Sequence, residues 1–401
     1  MAILQDKRIV LGVTGGIAAY KAVDLASKLV QAGARVDVIL TESAKQFVTP
    51  LTFEALTKQR VHSGVFEGWS EAEKGHISLA EEADLIIVAP ATANSIARLA
   101  LGMADDMLTV THLAASPRGT PIVIAPAMEH HMYLHPATQQ HLETLRSRGA
   151  SIVEPEHGRL ASGAVGVGRL ATTERLIATI ERALARGGPL WKKRVVVSAG
   201  ATQEAIDPIR LLTNRSSGKM GYALARAALH AGAEVTLITT PTALPPVIGA
   251  TTVRVQSALD MRDAVAAHAA GADALIMAAA VADYRPASVA DEKIKKSDDD
   301  LVIQLVRNPD ILATVETPGT VRVGFAAETT NHEQYARDKL VRKNLDFIVM
   351  NDARTAMGAE SNAVTLFFRD GRAEPLAEAS KAAVAEQIIQ RIADLVAGKP
   401  D

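Results

Sequence analysis

Apolar and polar positions along this chain fall into long, regular blocks. The stretch "RIVLGVTGGIAAYKAVDLASKLVQAGARVDVILT" (8–41) is an apolar run, a glycine turn, a segment with helical periodicity, then Ala-Gly and a second apolar run. A continuous apolar run predicts a strand buried on both faces, and a 3.6-residue period predicts a helix. "RVVVSAGATQEAIDPIRLLTNRSSGKMGYALARAALHAGAEVTLITT" (194–240) repeats that order with a longer loop between strand and helix. Further on, "ADLIIVAPATANSIA" (83–97) and "ADALIMAAAVADYRP" (272–286) each predict a buried strand ending in a loop of small residues.

These are βαβ units, so each half should be an open, largely parallel sheet with helices on both faces. The fold class expected is α/β, two Rossmann-like doubly wound domains. "ALARGGPLWKKR" supplies the break, since Gly187, Gly188 and Pro189 end a helix before the next strand. The expected division is a first domain 1–187, a linker 188–193 and a second domain 194–401. Ligands of such sheets sit beyond the carboxyl ends of the strands.

Composition narrows the function classes. At 401 residues the chain suits two domains, and 43 Lys plus Arg against 45 Asp plus Glu give no general pull on nucleic acid or anionic lipid. Aromatic residues are only 3%, too few for a single-strand stacking platform. The absence of cysteine excludes disulfides, iron–sulfur clusters and thiolate zinc sites, and fits a reducing compartment. With neither a signal-like start nor an apolar run of about 18 residues, a cytoplasmic protein is expected.

Candidate chemistry lies just after the strands. Gly15 and Gly16 in "GVTGGIAAYK" would let backbone N–H groups approach a phosphate, although a tight βα turn explains them almost as well. Thr41 and Ser43 flank Glu42 and look like phosphate donors rather than a ribose-binding acid. Thr92 and Asn94 could hydrogen-bond a flat ring or simply cap the next helix. His76, taken alone, is more often a surface or core residue than a catalyst. "IAPAMEHHMYLHPATQQHL" (124–142) packs Glu129, His130, His131, His135 and His141 together. Adjacent His130 and His131 would point apart and no H-E-x-x-H spacing exists, so a catalytic edge centred on Glu129 is preferred to a metal site. In the second half, Asn214, Ser216, Ser217, Gly218 and Lys219 offer donors at a helix start. Lys293, Lys295 and Lys296 lie in a polar loop beside "SDDD". Lys339 and Lys343, four apart on a helix, would repel unless an anion lay between them.

Taken together, "GVTGGIAAYK", "GHISL", "PATANSIARLALGMADDML" and "PAMEHHMY" resemble the FMN-binding cysteine decarboxylase family. "DPIRLLTNRSSGKMG", "AAAVADYRP", "KIKK", "RNPDIL", "VGFAAET" and "ARDKLVRKNLDFIVMND" resemble phosphopantothenate–cysteine ligase. Nearly the whole chain is therefore similar to the bifunctional decarboxylase/ligase family of coenzyme A synthesis. The resemblance implies FMN at Gly15, Gly16, Thr41, Ser43, Thr92 and Asn94, shared across a trimer interface, with His76 as base. It implies CTP, accompanied by Mg²⁺, at Asp283, Lys293, Pro309, Asp310, Ile311, Leu312, Phe325, Lys339 and Lys343. Asn214 would assist the acyl-cytidylate step, Lys293 would also act catalytically, and the ligase domains would pair as dimers. The substrates would be 4′-phosphopantothenate, cysteine and CTP.

Two positions depart from that family's pattern. Glu129 stands where an Asn should hold the substrate carboxylate. Ser162, in "GRLASGAVGVGRL", stands where a flap Cys should donate a proton. Two like charges 4 Å apart repel by ~4 kcal/mol at an effective dielectric near 20, and a serine hydroxyl is a far weaker acid than a thiol. Three outcomes are open: Glu129 is protonated by burial and the substrate's charge together and takes over proton donation, the reaction stops at the ene-thiol, or only the ligase works. The first is preferred because the cradle and His76 are intact. An NAD(P)-dependent oxidoreductase lacks the right glycine spacing here, and a flavin-bound scaffold would show no CTP-dependent pyrophosphate release.

Overall fold

The computed structural model describes residues 3–65, 75–296, 300–328, 332–352 and 361–398. The chain separates into two compact units, Met1–Arg186 and Gly187–Asp401.

In the first unit, β1 (Arg8–Val13), β2 (Arg35–Leu40), β3 (Leu85–Ala91), β4 (Ile122–Pro126) and β5 (Ser151–Ile152) form one parallel sheet in the order β2-β1-β3-β4-β5. Successive strand residues point to opposite faces, so one run feeds two cores. Ile9, Leu11, Val13, Leu85 and Ile87 join Leu25, Leu29, Leu176 and Ile180 on one side. Val10, Ile86, Val88 and Ile124 join Ile96, Leu99, Leu108 and Leu142 on the other. A separate antiparallel hairpin, β6 (Glu156–Arg159) and β7 (Val165–Arg169), follows the sheet.

The second core contains a histidine. Burial, aided by nearby Arg148, pushes His112 down to about 4, so it is neutral at neutral pH. The unfolded chain titrates near 6.5 and takes up a proton that the folded chain refuses. Stability of this unit should therefore fall with pH from about 6.5 toward 4, by about 2 kcal/mol at pH 5. Thermal midpoints across that range should flatten in a His112→Met variant; an unchanged acid slope would remove His112 as the cause.

In the second unit, β8 (Arg194–Ala199), β11 (Glu234–Thr239), β12 (Thr251–Arg254), β13 (Ala274–Met277), β16 (Val321–Glu328) and β17 (Phe347–Asp352) are parallel. β18 (Ser361–Phe368) and β19 (Ala373–Ser380) add an antiparallel extension, giving the order β12-β11-β8-β13-β16-β17-β18-β19. Two small antiparallel pairs stand apart, β9 (Gln203–Ala205) with β10 (Leu211–Thr213) and β14 (Tyr284–Pro286) with β15 (Leu305–Arg307). Helices again cover both faces, with Lys219–His230 and Lys381–Ala397 on one and Ala258–Ala269 and His332–Arg342 on the other. Leu190, fully buried, belongs to this unit's core, and its N–H donates to Ala231 O at 2.8 Å. The segment between the sheets is thus packed against the second unit.

In each unit the chain leaves its first strand to one side and later returns on the other. The crevice between β1 and β3, and that between β8 and β13, are the switch points where such sheets bind ligands.

Candidate active sites

Beyond the carboxyl ends of β1, β3 and β4 lies a cavity of about 580 Å³, within the range of small-molecule sites. Gly15 and Gly16 line it from the loop after β1, Thr92 from the loop after β3, and Met128 and Glu129 from the loop after β4. The β6–β7 hairpin closes another side with Arg159, Ser162 and Arg169. The two glycines have different tasks. A Cβ on Gly15 would lie 2.3 Å from Ser43 Cβ and 2.7 Å from the Ser43 carbonyl carbon, so the chain has no room there. A Cβ on Gly16 would meet only Thr92 Cγ2 at 3.7 Å, leaving backbone open toward the cavity.

Thr14 ties the floor together, donating to Pro90 O at 2.7 Å and accepting from Thr92 N at 3.0 Å. Thr92 caps the helix Ala93–Leu101 through Ser95 N. Of the residues nominated from sequence, Gly15, Gly16, Thr92, Glu129 and Ser162 line this one cavity, and Ser43 backs Gly15. Thr41 serves a local turn, with Ala44 N donating to its hydroxyl at 3.3 Å. Asn94 is exposed on the helix surface. His76 opens the helix His76–Glu82 and does not line this cavity. Sequence reasoning passed over Lys21 and Arg169, two cations on the cavity wall. Burial, and the charge of Arg169, lower the Lys21 pKa, with Glu156 opposing.

Burial alone does not protonate Glu129 in the free protein. Burial does push its pKa up, as the preferred reading requires, but that effect loses. Its carboxylate accepts from His131 N at 2.7 Å and Met132 N at 3.3 Å, capping the short helix His130–Leu134, and lies 3.1 Å from His131 Nδ1. These donors hold it net below the usual carboxylate range, so Glu129 is ionised in the free protein. His135 caps the following helix, accepting from Ala137 N at 3.2 Å. Among the described residues no group of three or more His, Asp or Glu side chains is placed to hold a metal.

In the second unit a pocket of about 170 Å³ opens beyond β13 and β16. Asp283, Pro309, Asp310, Ile311, Leu312, Phe325, Lys339 and Lys343 line it together. The two lysines do not simply repel. Lys343 Nζ pairs with Asp310 Oδ2 at 2.9 Å, and Lys339 Nζ donates to Phe325 O at 3.3 Å. Asn214, exposed, donates to Ala280 O at 3.4 Å, so it reaches the loop whose neighbouring residues line the pocket. Hydroxyls of Ser216 and Ser217 accept from Gly218 N and Lys219 N at 3.4 and 3.5 Å.

Lys293 is exposed and does not line the pocket, while residues 297–299 of the acidic run beside it lie outside the described residues. Its loop is nevertheless anchored. Buried Asp207 accepts from Ile209 N and Arg210 N, from the Arg210 side chain, and from Ile294 N at 3.2 Å. Arg210 Nη2 also donates to Ile294 O at 3.0 Å. The Arg210 side chain, with these N–H groups, holds Asp207 far below the usual aspartate range.

Two family models match the chain, "Flavoprotein" over residues 3–185 and "DNA/pantothenate metabolism flavoprotein C-terminal domain" over 190–396. The coenzyme A biosynthesis bifunctional protein CoaBC of Bacillus subtilis is 49% identical over 400 residues, covering 98% of either chain. The chain belongs to the CoaBC family. CoaBC of Vibrio cholerae is 47% identical, covering 98% of this chain and 99% of its own, and CoaBC of Escherichia coli K12 is 45% identical, covering 92% of each. A crystal structure of the C-terminal domain of a CoaBC protein is 43% identical, covering 53% of this chain and all of its own, with a TM-score of 0.47. Each family model falls on one of the two compact units, and each unit has its own cavity beyond the carboxyl ends of its strands.

Proposed function

We propose that this chain joins cysteine to 4′-phosphopantothenate and decarboxylates the product to 4′-phosphopantetheine, two consecutive steps of coenzyme A synthesis. The observation that carries the reading is the end-to-end likeness to bifunctional relatives, 49% over 400 residues, across both units. The ligase-only alternative gains nothing from the geometry, since Gly15, Gly16 and Thr92 meet on the wall of one cavity beyond the strand ends.

Ligation belongs to the second unit. A carboxylate is a poor acyl donor, so the phosphopantothenate carboxylate oxygen attacks the α-phosphorus of CTP. The α–β phosphoanhydride breaks and pyrophosphate leaves. The cysteine amine then attacks the acyl carbon, expelling CMP and losing a proton. Lys339 and Lys343, with Lys293 arriving from its anchored loop, offset charge on the phosphates. Mg²⁺ would travel with the triphosphate, and Asp283 and Asp310 are carboxylates on the same pocket wall. Asn214 would orient the reacting acyl group.

The residues of the first unit fit FMN. Gly16 leaves backbone N–H groups open for its phosphate, and the small-residue loop at Thr92 and Ala93 admits a flat ring. When bound, the flavin supplies reversible two-electron oxidation of the substrate thiol, which makes loss of carbon dioxide easy. Lys21 and Arg169 would hold the substrate phosphate, and Glu129 and Ser162 would face its cysteinyl end. His76 would then act across a subunit contact, with flavin units in trimers and ligase units in dimers. Mass spectrometry of products from 4′-phosphopantothenate, cysteine and CTP tests both steps in one tube. The expected product is the saturated 4′-phosphopantetheine; accumulation of the carboxylated intermediate would refute decarboxylation.

An ionised Glu129 beside the substrate carboxylate would repel it, so binding should draw a proton onto Glu129. Affinity for 4′-phosphopantothenoylcysteine should therefore fall as pH rises from the carboxylate range toward neutrality, and Glu129→Gln should remove that slope. Calorimetry in buffers of different ionisation enthalpy reads the proton directly. Binding without proton uptake would leave Glu129 no part in proton donation.

A further inference from the structure

His130 lies beside the flavin-side cavity without lining it, and its Nδ1 faces the neighbouring hairpin. Its Nδ1 is 3.1 Å from Val167 N and 3.2 Å from Val167 O. Whichever ring nitrogen carries the proton, Nδ1 therefore has a partner on β7: it accepts from the N–H when bare and donates to the carbonyl when protonated. The ring also fills the space beside Gly166, where a Cβ would come within 2.6 Å of His130 Cγ. Two residues along, Met128 N donates to Gly168 O at 2.9 Å. Gly168 has a φ of 152°, and a Cβ there would strike Met128 O at 2.2 Å. Residues 128 and 130 thus form a close-fitting seat for β7.

The hairpin needs that seat. Among the described residues β6 and β7 pair only with each other, and an isolated two-stranded ribbon is marginal in water. Its tip, between Arg159 and Val165, brings Ala161 and Ser162 to the cavity. We infer that His130 is a positioning residue, setting the β6–β7 hairpin and with it Ser162 over the substrate's reacting end. The activity arm of this inference rests on the proposed decarboxylation; the structural arm does not.

Two variants separate ring volume from hydrogen bonding. His130→Phe keeps a ring against Gly166 but cannot bond Val167. His130→Asn places an amide near the position of Nδ1 and keeps a donor and an acceptor. Hydrogen exchange in the full-length holoprotein is the first readout. Exchange over residues 157–169 should quicken about tenfold or more in His130→Phe and stay within about threefold of the parent in His130→Asn, while β1 and β3 are unchanged. Gly166→Ala, which pushes on the ring from the other side, should give the same local loosening. The second readout is a KM-against-kcat split for decarboxylation. His130→Phe should release a share of product two mass units light, from turnovers that lose carbon dioxide but miss the final hydride and proton, the two electrons passing instead to dioxygen. CTP-dependent pyrophosphate release should remain at the parent rate. Parent-like exchange in both His130→Phe and Gly166→Ala overturns the inference. Loosened exchange in a protein whose parent makes no decarboxylated product would instead refute the proposed function and leave the positioning role standing.

Discussion

Gly15→Ala should purify colourless and less stable, whereas Gly16→Ala should fold normally and bind flavin weakly. The added methyl at position 15 would overlap the Ser43 backbone at 2.7 and 2.8 Å, and backbone cannot swing aside as a side-chain end can. Overpacking of this kind costs about 3 kcal/mol, a drop of roughly 6–12 °C for a unit of this size. At position 16 the methyl meets only Thr92 Cγ2 at 3.7 Å, an ordinary contact, but it occupies the space through which backbone N–H groups would reach a phosphate. Flavin affinity should fall by about tenfold or more with an unchanged apo midpoint. Thermal unfolding of the flavin-free proteins and absorbance titration with FMN separate the two. A yellow Gly15→Ala protein with the parent midpoint would remove the cradle from the argument.

The second large effect is expected at the proposed nucleotide pocket. Lys343→Ala removes a cation and leaves Asp310, its partner at 2.9 Å, facing a triphosphate unpaired. The loss is therefore twofold in origin: one attraction gone and one repulsion exposed. kcat/KM for CTP should fall about 100-fold, ~3 kcal/mol of transition-state stabilisation. Asp310→Asn retains an acceptor for the short helix Ile311–Thr314, whose N–H at Ala313 it caps. Added to Lys343→Ala, it should restore about tenfold by removing the lone carboxylate. Pyrophosphate release at varied CTP measures this. Additive single effects would mean that the pair does not act as a unit at the phosphates.

Strand runs, helix periods and glycine turns made the doubly wound halves and the placing of ligand sites beyond the strand ends legible in the sequence, because backbone satisfaction and two-sided burial leave few other arrangements. "RIVLGV" and "RVVVSA" could hardly be anything but buried parallel strands. The residues after the strands were legible for the same reason, since topology fixes where their loops must go. Less visible was what a side chain does to its own backbone. Glu129 reads as a buried acid in sequence, but two N–H groups of a five-residue helix decide its charge. Asp310 could be nominated for the nucleotide pocket, yet its pairing with Lys343 depends on how two separate loops meet. Lys21 and Arg169 sit in unremarkable helical and hairpin contexts, and only the returning hairpin brings them to one wall. The antiparallel strand β19 alternates too weakly to be told from loop and is largely exposed.

The Asp207 contacts fix how Lys293 can move. One residue beyond that lysine the chain is riveted, through Ile294, to a segment far back in sequence. Lys293 therefore works as a short lever on a fixed pivot, its reach set by its own side chain. The rivet is insensitive to acid: an aspartate held below its ordinary value gives its full contribution above about pH 4 and yields only as pH falls through the lower folded value. Loss of ligation in milder acid must originate in some other group.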